Sequence, residues 1–381
     1  MESSQTREAS LPELAFVFLK LGTIAFGGPA AHLAMMEDEF VRRRQWITHE
    51  QFLDRLATAN LIPGPSSTEV AIFIGQLKRG WRGLIVAGAC FIIPAALIVT
   101  AIAWAYVRFG SLPRAQHILY AIKPVVVTVI IQALGRLSRT GIRSVLLAVI
   151  AALAALLNFA GLSPVLVLVF AGALAAASFA MRGRLLSVGF FAAPKFGVAA
   201  ILAVAAAVWP VGLWRLFLAF LKIGSVVFGS GYVLLAFLQS EFVRHLHWLT
   251  NKQLLDAVAV GQFTPGPLFT TATFIGYIVA GWRGAIVATV GIFLPGFVLV
   301  AVSGPIIPRL RRSPVFAAAL DGVVAGSLAL MAVVAWQLGK VSILNWTTLA
   351  IFAVSLIALL RFQVNSAWLV LASAILGLFL R

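Results

Sequence analysis

The stretch Asn-Leu-Ile-Pro-Gly-Pro at residues 60–65 interrupts a hydrophobic segment, and Gln-Phe-Thr-Pro-Gly-Pro follows at residues 262–267, 202 positions later. Prolines on both sides of a glycine remove backbone donors and disfavour a continuous helix. Irregular backbone of this kind is tolerated at membrane depth only where it is buried in protein or lines a wet cavity. The two Pro-Gly-Pro breaks therefore predict where the chain lines an internal site.

The composition predicts an all-α polytopic membrane protein. Of 381 residues, 61% are hydrophobic and 11% are charged, whereas about a quarter of the residues in a soluble domain are charged. Apolar windows of about twenty residues, the length of a membrane-spanning helix, recur along the chain. The alternating pattern of outer-membrane strands is missing, so we expect helices that contact membrane lipid.

The formal charge of +17 comes from 29 Lys and Arg against 12 Asp and Glu. Basic residues cluster in short loops, for example at 136–143 and 309–312, as the positive-inside bias requires. Nucleic acid is therefore not an expected partner, although a positive potential attracts anions. With Cys90 as the single cysteine and no metal-binding histidine motif, we expect no metal and no cofactor, and no enzyme motif is found.

The two breaks belong to an internal duplication. Residues 18–65 and 220–267 share 21 identities in 48 positions, and after one deletion Gly-Trp-Arg-Gly at 80–83 recurs at 281–284. We predict an N-terminal repeat, residues 1–195, and a C-terminal repeat, residues 196–381. Whether residues 196–209 span the membrane stays open.

Each break is followed by a segment too short to span a bilayer. Residues 66–78 separate the first break from the Gly-Trp-Arg-Gly turn, and such a helix covers roughly 20 Å against a hydrocarbon core of about 30 Å. We predict a re-entrant half-helix in each repeat, with five full spans beside it, which makes about ten transmembrane helices. An odd number of spans places the repeats in inverted orientation, as in many secondary transporters.

The half-helices point free N–H groups and a positive dipole end towards the breaks, which favours an anion. Lys20 and Lys222 stand deep in apolar segments, seven residues before Gly27 and Gly229. On one helical stripe, each lysine is expected to face the break and to clamp an oxyanion, the alternative being that it extends to the membrane surface.

Glu69 lies in the first half-helix, and the second repeat carries threonine and alanine around residues 271–272. An unpaired carboxylate there is either a proton-coupling site or the neutralising partner of a lysine. Lys123 and Asp321 each lie inside a hydrophobic span and are predicted to form an ion pair.

The predicted substrate-binding residues lie at the breaks, in the first turns of the half-helices and on the segments before them. They are Lys20, Gly27, Gly28, Asn60, Pro63, Gly64, Pro65, Ser66, Ser67, Thr68 and Glu69 in the first repeat, and Lys222, Gly229, Ser230, Gln262, Pro265, Gly266, Pro267 and Thr270 in the second.

Three motifs together resemble the chromate ion transporter family, in its long two-domain form. They are Phe-Leu-Lys-Leu-Gly…Phe-Gly-Gly-Pro at 18–29, Pro-Gly-Pro at 63–65 and Gly-Trp-Arg-Gly at 80–83. The resemblance implies a multi-pass carrier of the prokaryotic inner membrane that exports chromate without ATP and confers chromate resistance. The second repeat departs from the pattern, with Ser230-Gly231 where Gly28-Pro29 stands, which argues against a strictly symmetric site.

Three other functions stay open at this point. One is a passive anion channel that uses the same electropositive breaks, and another is a carrier for a different oxyanion such as sulfate. The third is a non-transporting assembly or lipid-handling protein. Assembly as a homodimer is also open.

Overall fold

The computed structural model describes residues 8–26, 28–183, 211–228, 231, 233–311, 313–362 and 364–379, and within these residues all regular structure is helical. The first repeat contains α1 (Leu11–Ile24), α2 (Gly28–Glu37), α3 (His49–Ala59), α4 (Ser66–Phe109), α5 (Pro113–Gly141), α6 (Val145–Phe159) and α7 (Pro164–Gly183). The second contains α8 (Val211–Val226), α9 (Leu234–Leu238), α10 (Asn251–Phe263), α11 (Thr271–Arg311), α12 (Pro314–Ser342), α13 (Trp346–Arg361) and α14 (Ser366–Phe379).

The duplication extends through helices that share little sequence identity. The helices α5 and α12 both begin at a proline, and both of their ends are displaced by 201 residues. Short π-helical segments follow α2 and α9, at Asp38–Arg43 and Gln239–His245. The predicted boundary between residues 195 and 196, like the apolar stretch 196–209, lies outside the described residues.

Five helical stretches of the described chain are long and apolar enough to cross a membrane. They are Ser66–Phe109, Pro113–Gly141, Pro164–Met181, Leu268–Ser303 and Pro314–Ser342. The helices α6, α13 and α14 are apolar but shorter. These findings agree with a polytopic membrane protein, and the count of about ten spans stays a prediction.

Local sequence signals begin and end the short helices. Thr48 and Gln51 form the expected capping box at the start of α3, and Thr250 and Gln253 form the same box at the start of α10. Because each side chain satisfies a backbone N–H group of the first turn, both helices begin at a fixed residue.

The segment predicted as a half-helix folds back on the rest of α4. The backbone leaves the helical region at Arg79 and Gly80, and a Cβ atom on Gly75 would collide with the carbonyl of Gly83. Eight residues of continuous helix would place those two glycines about 12 Å apart, so the two parts of α4 form a tight antiparallel hairpin. Gly276 and Gly284 make the same contact in the second repeat, where Ala280 and Gly281 leave the helical region.

The two repeats are interlocked. The long helices α4 and α11 pack against each other, with α1 against α4 and α8 against α11. Beyond this centre, α5 of the first repeat packs against α13 and α14 of the second, and α12 of the second packs against α6 and α7 of the first. The sequence repeat is therefore not a separate packing unit, and neither repeat buries its apolar faces alone.

Candidate substrate site

The two Pro-Gly-Pro breaks each bind the opposite repeat. The N–H group of Gly64 donates to the carbonyl of Val227 at 2.8 Å, and the N–H group of Gly266 donates to the carbonyl of Ala25 at 2.9 Å. Ala25 and Val227 stand directly after the ends of α1 and α8. These two hydrogen bonds therefore join each Pro-Gly-Pro break to the end of a helix in the opposite repeat.

Only glycine fits at the middle of each break. Gly64 has φ +138° and Gly266 has φ +86°, a region that costs a side chain free energy because its Cβ atom clashes with the backbone. A Cβ atom on Gly64 would also collide with the carboxylate of Glu69, and one on Gly266 would lie 2.5 Å from the Cβ atom of Ala95. Both breaks are therefore tightly packed around their glycine.

The first turn of the half-helix in the first repeat carries buried polar groups that lack partners. Ser67, Thr68 and Glu69 are 2%, 1% and 0% exposed. Among the described residues, the Thr68 hydroxyl and both carboxylate oxygens of Glu69 have no hydrogen-bond partner. Buried polar atoms are nearly always hydrogen-bonded, so unpartnered ones indicate a functional site or a missing ligand.

His32 connects this turn to the break of the other repeat. Its Nε2 atom lies 3.1 Å from the carbonyl of Ala25, the same oxygen that accepts from Gly266, and its Nδ1 atom lies 3.4 Å from the Ser67 hydroxyl. A carbonyl only accepts, so Nε2 carries the hydrogen and Nδ1 of the neutral ring accepts from Ser67. His32 is not among the site residues predicted from the sequence. Its position four residues after Gly28 is the sequence signal that could have identified it.

The corresponding turn in the second repeat is satisfied within itself. The Thr270 hydroxyl donates to the carbonyl of Pro267, and the Thr271 hydroxyl donates to the carbonyl of Leu268, both at 2.8 Å. Leu234 stands at the position of His32. Among the described residues, the titratable side chains at these two turns, Glu69 and His32, belong to the first repeat.

The structure does not support the predicted lysine clamp. Lys222 is exposed, and its Nζ atom lies 2.7 Å from Oε2 of Glu241. Lys20 is also exposed, on the face of α1 that carries the exposed side chains of Phe16 and Leu19. The argument from the seven-residue spacing assumed one continuous helix from each lysine to its glycine. The helices α1 and α8 end at Ile24 and Val226, so this assumption is wrong.

The remaining predicted site residues differ in how far they are buried. Gln262 is 7% exposed beside its break, whereas Asn60 is exposed at the end of α3, so the two amides are not equivalent. Gly28 begins α2 with φ +78°. Pro65, Pro265 and Pro267 are buried around the breaks, Pro63 and Ser66 are half-buried, and Gly27, Gly229 and Ser230 lie outside the described residues.

A buried charge pair between the repeats replaces the predicted Lys123–Asp321 pair, which is wrong. The Nζ atom of Lys123 lies 3.3 Å from Oδ1 of Asp256, and the Tyr106 hydroxyl donates to Oδ2 of Asp256 at 2.9 Å. Asp321 is exposed. The offset of 201 that relates α5 to α12 places Val324, not Asp321, at the position of Lys123.

The fold and the site define a polytopic helical membrane protein of two interlocked repeats, with a backbone break from each at the centre. The sequence profile of the family described as "Chromate transporter" matches residues 12–177 and 214–378. The chain belongs to this family.

Named relatives agree with the profile. The chain is 32% identical over 376 residues to a chromate transport protein of Cupriavidus metallidurans, covering 97% of this chain and 93% of the relative. It is 30% identical over 360 residues to a probable chromate transport protein of Synechococcus elongatus, covering 92% and 89%. A chromate transport protein of Pseudomonas aeruginosa is 29% identical over 353 residues, covering 87% and 82%. No solved structure matches the chain significantly.

Proposed function

We propose that the protein is a secondary active carrier that exports chromate across the prokaryotic inner membrane and so confers chromate resistance. The reciprocal hydrogen bonds from the two Pro-Gly-Pro breaks to Val227 and Ala25 of the opposite repeats carry this proposal, because they bring the start of each half-helix to the interface between the repeats. A site at a repeat interface, formed by interrupted helices, is the plan of many secondary transporters.

The charge and the donors at the breaks favour an oxyanion. The N-terminus of each half-helix carries the positive end of a helix dipole and free backbone N–H groups, which bind anions in many proteins. The Thr68 hydroxyl, which has no partner among the described residues, adds a donor. The net charge of +17 attracts an anion towards the protein. Chromate is the substrate that the names of the relatives give to those proteins, and we assign it to this chain.

Transport follows from alternate opening of the two sides around the breaks. With the repeats in inverted orientation, rocking of one repeat against the other exchanges their two conformations and moves the site's access from one side to the other. In this conformation Thr68 and Glu69 are 1% and 0% exposed, so the first half-helix begins in an occluded environment.

Everted membrane vesicles from cells that produce the protein test the proposal. Labelled chromate is expected to accumulate in them with saturable kinetics and to show counterflow, and control vesicles without the protein are expected to show neither. A flux that rises linearly with concentration and lacks counterflow would instead support a passive anion channel. The same vesicles with labelled sulfate measure selectivity, and movement of sulfate but not chromate would overturn the substrate assignment.

A further inference from the structure

We propose that Glu69 is the proton-binding group of the carrier and that one proton crosses the membrane together with each oxyanion. This inference rests on the proposed function, and it adds the coupling ion and the direction in which that ion moves.

The position of Glu69 is the first observation. The side chain is fully buried, and neither carboxylate oxygen has a hydrogen-bond partner among the described residues. It lies against Gly64 of its own break, and its Cγ atom is 3.8 Å from the position that a Cβ atom on Gly296 of α11 would take. Glu69 is therefore enclosed between a break of the first repeat and the long helix of the second.

Among the described residues, no hydrogen-bond donor or cation offsets the loss of hydration of an ionised carboxylate in this position. Burying an unpaired charge is so unfavourable that such a group takes up a proton unless a cation or several donors stabilise it. Binding a proton here, and releasing it when the site opens to water, is an ordinary acid–base step. The proton adds to one carboxylate oxygen and returns to solvent on the other side.

His32 is another titratable group whose contacts reach this turn. Both of its ring nitrogen atoms have a partner, Ala25 on one side and Ser67 on the other. Because the Ser67 hydroxyl can donate to the ring or accept from it, these partners satisfy His32 in either protonation state. The titratable group of this turn that has no hydrogen-bond partner among the described residues is Glu69.

Charged groups on α3 lie further along the half-helix. The guanidinium of Arg55 lies 5.9 Å from the ring centroid of Phe73, one helical turn beyond Glu69, and 3.9 Å from the carboxylate of Asp54. Its Nε atom is buried without a hydrogen-bond partner among the described residues, and no ion pair joins Arg55 to Glu69 in the described part of the chain.

Among the described residues, the remaining neighbours of α4 provide no counter-ion for Glu69. On α1, Lys20 is exposed and Glu13 pairs with Arg44. On α10, Asp256 pairs with Lys123. The part of α11 that meets Glu69 is Gly296. The charged residues of α11 are Arg283, which lies over Trp282 near the hairpin turn, and Arg309 and Arg311 at its C-terminal end.

The sign of the coupling follows from charge. An oxyanion at the start of the half-helix and an ionised Glu69 repel each other strongly in a low-dielectric site, so the oxyanion binds best when Glu69 is protonated. Linkage is reciprocal, so bound oxyanion also increases the affinity of Glu69 for a proton. The two therefore bind together and move in the same direction, whereas exchange would require that they compete. A chromate dianion and one proton carry a net charge of −1 outward, so the membrane potential, which is negative inside, drives export rather than the proton gradient.

The second repeat sets the stoichiometry. Threonines occupy residues 270 and 271, where the first repeat carries Thr68 and Glu69, and their hydroxyls bond to their own turn. One acidic side chain therefore serves the two half-helix starts, which predicts one proton for each oxyanion.

Proteoliposomes that contain the purified full-length protein and a trapped pH-sensitive dye test this inference. They are loaded with chromate in mildly alkaline buffer, where chromate itself is already fully ionised, and the voltage is clamped with potassium and valinomycin. As chromate leaves, the interior is expected to become more alkaline, by about one proton for each chromate, the ratio that a single carboxylate allows. Chromate efflux without a pH change, or with acidification, would overturn the inference while leaving the proposed function intact. Absence of chromate efflux would overturn both.

Three variants locate the proton site. Glu69→Gln is expected to reduce chromate flux and to lower the ratio of protons to chromate to zero, whereas Glu69→Asp, which keeps a carboxylate, retains the ratio. Glu50→Gln removes an exposed carboxylate of α3 and serves as the matched control, with unchanged flux and ratio. A wild-type ratio in Glu69→Gln, or chromate flux without protons in Glu69→Asp, would show that the proton binds elsewhere.

Discussion

The short helices before the two breaks have the same sequence pattern and different environments. In α3 of the first repeat, the buried residues are Phe52, Thr58 and Ala59, whereas every residue from Leu254 to Gln262 of α10 is buried. The helix α10 packs against α5 and α14. The duplication therefore repeats the sequence pattern of these two helices but not their burial.

The difference also concerns which repeat supplies the chemistry. The first repeat places Glu69, Thr68 and His32 at the centre, and the second places satisfied threonines and a leucine there. The second repeat contributes Asp256, whose partners Lys123 and Tyr106 belong to the first. A duplicated backbone thus carries an asymmetric set of side chains at its two breaks.

The largest effect is expected at the charge pair between the repeats. Asp256→Asn leaves Lys123 buried at 9% side-chain exposure without its counter-ion, and breaking a buried pair from one side costs about 3–5 kcal/mol. Thermal unfolding of the purified protein measures this loss.

The control is the equivalent position in the first repeat. Asp54 is 45% exposed, so Asp54→Asn is expected to change stability by no more than about 0.5 kcal/mol. Equal losses of stability in Asp54→Asn and Asp256→Asn would contradict the conclusion that α3 and α10 have different environments.

The second effect concerns the glycines of the breaks. Gly64→Ala and Gly266→Ala are each expected to reduce chromate transport at least about tenfold, because a side chain at positive φ costs roughly 1–2 kcal/mol before any collision. Gly64→Ala displaces Glu69 as well and is expected to alter proton coupling, which Gly266→Ala leaves unchanged. Vesicle transport at several pH values separates the two.

A glycine of α5 provides the reference for these variants. Gly135 has open space around the position of an added Cβ atom, so Gly135→Ala is expected to transport normally. Normal transport by Gly64→Ala would show that the first break is not part of the transport path.

A smaller effect separates the two first turns. Thr68→Val removes a buried hydroxyl without a partner in the described structure, so we expect unchanged or higher stability and a KM for chromate raised several-fold. Thr270→Val removes a bond to Pro267 and is expected to cost about 0.5–1.5 kcal/mol of stability. Stability and KM are measured for both variants. A stability loss in Thr68→Val together with a raised KM in Thr270→Val would contradict this prediction.

The smallest effect is expected for the lysines. Lys222 pairs with Glu241 while its side chain is 52% exposed, and exposed pairs contribute about 0–1 kcal/mol. Lys222→Ala and Lys20→Ala are therefore expected to keep chromate transport near the wild-type level. Loss of transport in either variant, with normal protein levels in the membrane, would show that this lysine belongs to the substrate site.

Local sequence signals predicted the elements well. The capping residues Thr48 and Thr250, the break before Ser66 and the turn at Gly80 act within a few residues of chain, so the sequence contains all the atoms involved. The argument from Lys20 to Gly27 used helical periodicity across the end of α1, and the pairing of Lys123 with Asp321 used an alignment shifted by three residues. Both failed because they depended on geometry between segments.

By itself the sequence determined the helical membrane class, the duplication, the two breaks and the presence of one unmatched acid at residue 69, since these follow from composition, identity and proline chemistry. Only the tertiary structure decided that Gly64 bonds to Val227 and Gly266 to Ala25 of the opposite repeats, that Asp256 pairs with Lys123, and that Glu69 has no partner among the described residues. Partnership and burial depend on residues up to 241 positions apart, as Ala25 and Gly266 are, and their contact is fixed by packing rather than by any local pattern.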